Sequence, residues 1–239
     1  MKKEGKFLSN LKIYYDAEKT KEIENKILAE YGDRKKDWAK TGYNVSECSN
    51  CEMKTFNRRT GVTETKTKQN IGFMVFGIIA EIVMTSIYPE NQRQYEANLN
   101  ELIWGHMDVY ENLEFPIEGK ATAKRIFKAK DLPINWVMQL VNYLTMSKGN
   151  KGWLVILDIF TRSISVFCVE LPAEDKLSQI EVLMDKVSRF DKAILAKDST
   201  GLSVSLSISP EEYELCNFKH DCSRRLECKA KYAELKKVK

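Results

Sequence analysis

The chain has 239 residues, of which 43% are hydrophobic and 30% charged, a balance that excludes intrinsic disorder and fits one large globular domain or one domain with appendages. The formal net charge of +4 is too small to indicate a nucleic-acid-binding protein by itself. The excess of positive charge is concentrated at one end of the chain, since residues 219–239 contain eight Lys or Arg but only three Asp or Glu.

The first segment, residues 1–45, is polar and mostly helical in pattern. Asp16 can cap a helix that continues to about Tyr31 and ends at Gly32. The initial residues are charged and lack the apolar core of a secretory signal, which predicts a cytoplasmic protein. We assign no chemistry to this segment.

A C-x-x-C pair, Cys48 and Cys51, follows the first segment. Such a pair needs further ligands to complete a four-ligand metal site. In a reducing compartment, the six cysteines of the chain favour metal or cluster binding over disulfides. The polar residues 58–70 are predicted to form a loop or irregular hairpin, which is either solvated or close to a phosphate backbone.

The most apolar stretch predicts a buried helix from about Ile71 to Tyr88, ended by Pro89. It is too short and too charged to span a membrane. Glu81 is its only charge, and a carboxylate in an apolar helix is costly unless it is paired or bound to a metal. We therefore predict a metal ligand that faces Asp108. The alternative is a glutamate on a surface stripe or a salt-bridged glutamate in the core.

Two predicted strands follow, residues 105–110 and a second one entered through residues 114–117. Asp108 lies on the first strand. Glu118 and Lys120 lie on the second and share a face, because residues two apart in a strand point to the same side. Carboxylates bind hard divalent cations, and a neighbouring lysine can stabilise charge or orient a water. This combination is typical of metal-assisted phosphodiester hydrolysis.

Residues 121–130 are basic and are either part of a DNA path or a solvated edge. A helix opens at Pro133 and carries Gln139 and Tyr143, which share a face because they are four residues apart. The pair is either ordinary boundary packing or a substrate clamp beside the carboxylates.

The last third of the core has apolar and polar residues in alternation, followed by a helical repeat. Residues 153–158 and 163–171 predict a β-hairpin, in which Cys168 is expected to be a buried structural thiol. Pro172 or Ala173 begins a long amphipathic helix. Apolar residues alternate with serine along residues 202–208, which predicts a short strand or an extended arm.

Three further cysteines, Cys216, Cys222 and Cys228, are separated by five residues each. Together with the distant C-x-x-C pair they predict one joint site that ties the two ends of the domain. Thiolate ligands suit either zinc or an iron–sulfur cluster, and the residues alone leave both open.

The order of these motifs resembles a known enzyme group. The set Glu81, Gly105-x-x-Asp108, Glu118-x-Lys120 and Gln139-x-x-x-Tyr143 is similar to the RecB-type branch of the PD-(D/E)xK nucleases. The enclosing cysteines, and the stretch VSECSNCEMKTFNRR, resemble the CRISPR-associated Cas-four exonuclease family. The resemblance covers about residues 45–230.

The resemblance implies an α/β, restriction-endonuclease-like fold: a mixed central sheet flanked by helices and closed by a cysteine-bound cluster subdomain. The expected organisation is an N-terminal helical segment (1–45), a nuclease core (46–210) and a C-terminal cysteine segment with a basic tail (211–239), completed by residues 48–51. The implied function is a divalent-metal-dependent DNA exonuclease that acts on single-stranded or frayed ends. Its implied role is to trim DNA for CRISPR spacer acquisition, with integrase proteins as partners. The protein is not expected to bind a membrane, and it could form a homo-oligomer.

Residue roles follow from the same resemblance. Mg²⁺ or Mn²⁺ would be bound by Glu81, Asp108 and Glu118, assisted by the Gly119 carbonyl. Lys120 would position or activate the attacking water and stabilise charge on the phosphate, and Gln139 and Tyr143 would orient the substrate strand and the lysine. The resemblance also implies a 4Fe–4S cluster, which would be bound by Cys51, Cys216, Cys222 and Cys228.

Three features depart from the family pattern. Glu81 stands where the family usually has a histidine, which makes the site richer in oxygen. Cys216 and Cys222 are too far apart for the usual C-x-x-C pair, and Cys48 is an additional thiol, so a zinc site of Cys48, Cys51, Cys222 and Cys228 stays open. The alternative functions are a non-catalytic nucleic-acid-binding or assembly protein with a nuclease-derived fold, and a zinc-stapled regulator.

Overall fold

A mixed β-sheet lies at the centre of the protein in the computed structural model, which describes residues 42–65, 68–123, 126, 128–160, 163–203, 216–218 and 220–237. These residues belong to one compact unit, Ala39–Lys239. The sheet has six described strands: β1 (Tyr43–Asn44), β2 (Arg93–Leu99), β3 (Ile103–Glu111), β4 (Phe115–Thr122), β5 (Lys151–Asp158) and β6 (Ser163–Glu170).

The strand order is β1-β3-β4-β5-β6, and β2 also pairs with β3. The pairs β1–β3 and β4–β5 are parallel, whereas β2–β3, β3–β4 and β5–β6 are antiparallel. Because β2 pairs along nearly the whole of β3, the short β1 and β4 must share the opposite edge of that strand. This mixed sheet with flanking helices confirms the predicted α/β class.

Six α-helices surround the sheet within the described part of the chain. They are α1 (Val45–Ser49), α2 (Glu52–Arg59), α3 (Lys68–Ser86), α4 (Ile134–Met146), α5 (Ala173–Ala196) and α6 (Arg225–Lys237). Short 3-10 turns, Glu90–Gln92 and Ala129–Asp131, precede β2 and α4.

Successive side chains of β5 pack against different helices on the two faces of the sheet. Leu154 and Ile156 pack with Leu140 of α4, whereas the residues between and beside them, Trp153 and Val155, pack towards Met84 of α3. Since successive strand residues point to opposite faces, α3 and α4 cover opposite sides of the sheet. The largest core cluster lies on the α4 side and includes residues of α1, α2 and α5.

Local signals explain where the helices begin and end. Asn44 forms a capping box at α1: its side-chain oxygen accepts from the Ser46 N–H at 2.9 Å, and the Glu47 carboxylate accepts from the Asn44 N–H at 2.9 Å. Pro133 precedes α4, as predicted. The long helix α5 ends where Lys197 adopts a left-handed conformation with φ of 52°.

Several predicted elements are confirmed, and others need correction. Both hairpins and the helices after Pro133 and Pro172 form where the periodicity placed them. The loop predicted for residues 58–70 is wrong at both ends, because α2 extends through Arg59 and α3 already begins at Lys68. Apolar spacing did not reveal these helix turns, since their residues are mainly polar.

Two predictions of burial are wrong. The helix α3 was expected to be buried, but one side of it is exposed and carries Phe73, Phe76, Ile79, Ile82 and Val83. Cys168 was expected to be buried, but it is exposed on β6, the last strand of the sheet order, beside Ile164 and Val166. An apolar pattern predicts which side chains share a face, but whether another layer covers that face depends on the rest of the fold.

No helix in the described part of the chain has the length and apolarity needed to cross a bilayer. The helix predicted between Asp16 and Tyr31 and the strand or arm predicted for residues 202–208 fall almost wholly outside the described residues. The division into segments 1–45, 46–210 and 211–239 stays a prediction.

Candidate active site

An interruption in the sheet defines the candidate site. On one edge of β3, β1 pairs with Ile103 and Trp104, and β4 pairs only from Val109 onwards. Residues 105–108 therefore have no ladder partner on that edge among the described strands. In their place, side chains provide the hydrogen bonds: Asp108 Oδ2 accepts from the Gly119 N–H at 2.8 Å, and Tyr143 Oη donates to the His106 carbonyl at 2.7 Å.

A hydrogen-bonded triangle joins β4 to α4 at this point. Lys120 Nζ donates to Glu118 Oε1 at 2.6 Å and to Gln139 Oε1 at 3.0 Å. Gln139 Nε2 in turn donates to Glu118 Oε1 at 2.7 Å. The predicted shared face of Glu118 and Lys120 is therefore directed towards α4, and Gln139 contacts both.

Gly119, between these two residues, points to the other face of the sheet. A Cβ atom added there would lie 2.8 Å from the Met84 sulfur of α3 and 3.5 Å from Asp108 Oδ2. The absence of a side chain lets α3 approach the strand, and the exposed backbone N–H reaches the Asp108 carboxylate.

The electrostatics of the site reflect two carboxylates in a confined space. Burial, followed by the charge of Glu118, raises the pKa of the Asp108 carboxyl well above its usual range. Burial alone would lower the pKa of the Lys120 ammonium, but the charges of Glu118 and Asp108 outweigh it and the pKa is raised. Burial, with the same two charges, also raises the pKa of the Tyr143 hydroxyl.

Tyr143 is placed by close packing. It is almost fully buried, and a Cβ atom at Gly105 would lie 3.0 Å from its hydroxyl oxygen and 3.1 Å from Val45. Gly105 thus leaves room for Tyr143 against β3. The structure brings Tyr143, Gln139, Lys120, Glu118 and Asp108 together around the interruption.

Glu81 is the candidate that lies apart. Its carboxylate accepts from Gln94 Nε2 at 3.0 Å at the surface of the protein, although its charge still acts on Asp108 and Lys120. Glu81 therefore borders the carboxylate pair without joining the triangle.

The donor chemistry suits a hard divalent cation at Asp108 and Glu118. Two nearby carboxylates raise the pKa of one of them, and a cation between oxygen ligands relieves that repulsion. Within the described residues, however, no three His, Cys, Asp or Glu side chains are arranged to hold one metal ion. Coordination by a third ligand therefore requires side-chain movement, and Glu81 is a candidate because its charge acts on Asp108.

Five of the six thiols belong to one core cluster. Cys48, Cys51 and Cys222 are buried in it, and Cys216 and Cys228 pack against it. Burial, and then the charges of Cys51, Cys222 and Cys216, raises the pKa of the Cys228 thiol to about 12. Soft sulfur atoms suit zinc or an iron–sulfur cluster, but within the described residues no three cysteines are arranged to hold one metal ion.

Cys48 has different surroundings. Burial raises the pKa of its thiol to about 12, and the charges that act on it come from Lys186, Glu47 and Arg59 rather than from the other cysteines. Its own carbonyl accepts from Lys186 Nζ at 2.6 Å. The charges that act on Cys48 therefore differ from those that act on Cys228.

Sequence analysis did not identify Gln94. No spacing rule points to it, because its relation to Glu81 and Asp108 depends on the register of β2 against β3. A left-handed backbone at a non-glycine residue, φ of 47°, is visible only in the structure.

The sequence matches no protein-family model and no curated protein. Among solved structures, the crystal structure of SSO0001 is similar, with a TM-score of 0.53 and 19% identity over 86% of this chain and 96% of that one. A phage-related exonuclease from Haemophilus somnus 129PT has a TM-score of 0.43 and 9% identity over 65% of this chain and 96% of that one. The first likeness extends to the fold alone, and the second is too distant to bear on function.

Proposed function

We propose that this protein is a divalent-metal-dependent DNA nuclease whose active site lies at the interruption of β3. The observation that carries the proposal is the Glu118–Lys120–Gln139 triangle beside Asp108, at the interruption between β3 and β4. Carboxylates and an ammonium held together in a partly enclosed site are the groups that phosphodiester hydrolysis requires.

Asp108 and Glu118 are the proposed cation ligands, with the Gly119 carbonyl and Glu81 completing the set. A bound Mg²⁺ or Mn²⁺ would stabilise charge on the phosphate and lower the pKa of an attacking water. The family resemblance of the ordered motifs supports the same assignment.

Lys120 stabilises the negative charge that develops on the phosphate. An ammonium has three N–H donors, and Glu118 and Gln139 take two of them, so the third can reach a phosphate oxygen or the attacking water. Gln139 fixes the direction of the Lys120 side chain, and Tyr143 keeps α4 against β3 through the His106 carbonyl. These contacts restrict the geometry before the substrate binds.

The finer assignment rests on the resemblance together with the grouping of the thiols. We propose that Cys51, Cys216, Cys222 and Cys228 hold a 4Fe–4S cluster, with zinc as the alternative. The proposed reaction is exonucleolytic trimming of single-stranded or frayed DNA ends for CRISPR spacer acquisition in the cytoplasm, together with integrase proteins.

The test is digestion of end-labelled single-stranded DNA with Mn²⁺, Mg²⁺ or EDTA. We expect release of labelled ends only with metal, and loss of at least about 100-fold in rate for Lys120→Ala, as for other groups that stabilise transition-state charge. Lys192→Ala, which removes an exposed lysine of α5, is the matched control and should cleave at the wild-type rate.

If the wild type is inactive with every metal but still binds DNA, the catalytic proposal fails. The protein would then be a non-catalytic nucleic-acid-binding or assembly protein with a nuclease-derived fold.

A further inference from the structure

Gln94 of β2 stands beside Asp108 of β3. In the β2–β3 register, Arg93 pairs with Val109 and Tyr95 pairs with Met107, so Gln94 lies opposite Asp108 without forming a ladder pair with it. On the other side, β3–β4 pairing ends at Val109, and the Asp108 carboxylate instead accepts from the Gly119 N–H at 2.8 Å. Strand pairing is therefore interrupted on both sides of Asp108.

The backbone at Gln94 is unusual for its residue type. Its φ of 47° lies in the left-handed region, which glycine adopts without strain and other residues adopt only at a cost. The Gln94 side chain is exposed, so burial in the core does not account for this conformation. Strain of this kind persists where the surrounding structure imposes it and is common beside functional sites.

The amide of Gln94 contacts the carboxylate of Glu81. Gln94 Nε2 donates to Glu81 Oε1 at 3.0 Å and so links β2 to α3. A neutral amide orients a carboxylate without neutralising it, whereas a lysine or arginine would compete with a cation for the same oxygens. Because a carboxylate has two oxygens, one can accept from the amide while the other binds a cation.

We propose that Gln94 is a positioning residue that holds the Glu81 carboxylate beside the Asp108–Glu118 pair, so that the third carboxylate is oriented before a divalent cation binds. The inference rests on the proposed metal site and adds a residue to it. Glu81 acts electrostatically on both Asp108 and Lys120, which is consistent with its place at the border of the site.

The test is Mn²⁺ binding to the full-length protein, measured by titration calorimetry without DNA. The variant Gln94→Gly removes the side-chain amide and relieves the strain of the left-handed backbone. Its melting temperature should therefore equal or exceed that of the wild type. We expect its Mn²⁺ affinity to fall about threefold to tenfold, within the range for loss of one typical hydrogen bond.

A double-mutant cycle separates positioning from a general structural effect. Glu81→Gln should also weaken Mn²⁺ binding, and Glu81→Gln with Gln94→Gly should be no weaker than Glu81→Gln alone, because Gln94 acts only through Glu81. Gln92→Ala is the matched control: its side-chain oxygen accepts from the Asn112 N–H at 3.1 Å, away from Glu81, and Mn²⁺ affinity should not change.

The outcomes distinguish this inference from the proposed function. If Asp108→Asn abolishes Mn²⁺ binding while Gln94→Gly binds like the wild type, the metal site stands and the role of Gln94 is overturned. Additive effects in the double mutant overturn it equally, as does a wild type that binds no Mn²⁺. If the cycle shows coupling but DNA is never cleaved, the positioning role stands and the nuclease proposal fails.

Discussion

At the scale of single residues, a buried carboxylate follows one of the candidate cluster ligands. Glu52 follows Cys51 and is buried, and its Oε2 accepts from Arg189 Nη1 at 2.6 Å and from the Ser203 N–H at 2.8 Å. Arg189 also bonds Asp185 at 2.9 Å, but the Asp185 side chain is 69% exposed. One arginine thus takes part in a buried ion pair and in a solvated one.

The two partners of Arg189 should differ in their contribution to stability. Glu52→Ala leaves the arginine and a backbone N–H without a buried acceptor, and we expect the free energy of unfolding to fall by about 2 kcal/mol. Asp185→Ala should change it by less than about 0.5 kcal/mol, because solvent screens an exposed pair. Urea unfolding of both variants measures the difference, and equal losses would contradict it.

At the scale of elements, close approach of backbones sets the β4–β5 junction. A Cβ atom at Gly152 of β5 would lie 2.5 Å from the Pro116 carbonyl oxygen, whereas one at Gly77 of α3 would meet no described atom within 4 Å. The first glycine leaves room for a neighbouring strand, and the second only weakens its helix.

Alanine should therefore act in opposite directions at these glycines. Gly152→Ala forces two strands apart, and we expect it to lower the free energy of unfolding by about 2 kcal/mol. Gly77→Ala should raise it by up to about 1 kcal/mol, because alanine is the better helix former. Thermal or urea unfolding tests both, and a neutral Gly152→Ala would show that β4 and β5 can separate at low cost.

At the scale of the whole molecule, the thiols connect distant parts of the chain. Cys51 immediately precedes α2, while Cys216, Cys222 and Cys228 come from the C-terminal part. Contacts independent of sulfur bring these parts together as well: the Thr65 N–H donates to the Asn217 carbonyl at 3.0 Å, and Arg58 lies over the Phe218 ring. A metal centre would add to a contact that protein groups already form.

Metal analysis of purified variants should identify the thiol ligands. We expect Cys222→Ser to reduce bound iron or zinc from near stoichiometric to near zero, because each thiolate contributes directly to binding. Cys168→Ser, at an exposed thiol, is the control and should keep the metal.

The same measurement discriminates between the two cysteine sets. Retention of metal by Cys48→Ala with loss by Cys216→Ser supports the set Cys51, Cys216, Cys222 and Cys228. The reverse result would contradict it and favour the zinc set that contains Cys48.

The elements and the site differ in how far the sequence could predict them. The sequence pattern predicted the strand that carries Asp108, the strand that follows it and the helix after Pro133, because alternation and helical repeats are local properties. It also predicted that Glu118 and Lys120 share a face and that Gln139 and Tyr143 share another. It could not predict that the two faces meet, because that depends on how α4 crosses the sheet.

The sequence by itself determined the α/β class, the strands from residue 105 onwards, the helices after Pro133 and Pro172, and the chemical groups available for metal and phosphate. It did not predict β2, because residues 92–103 have the pattern of a loop followed by the start of a strand. Only the tertiary structure decided which of those groups come together. Strand register put Gln94 opposite Asp108, and the packing of distant segments brought five thiols to one core cluster. The position of β6 at the end of the sheet left Cys168 exposed. The physical reason is that side-chain direction is set by local backbone geometry, whereas burial and contact require a second element whose position depends on the whole fold.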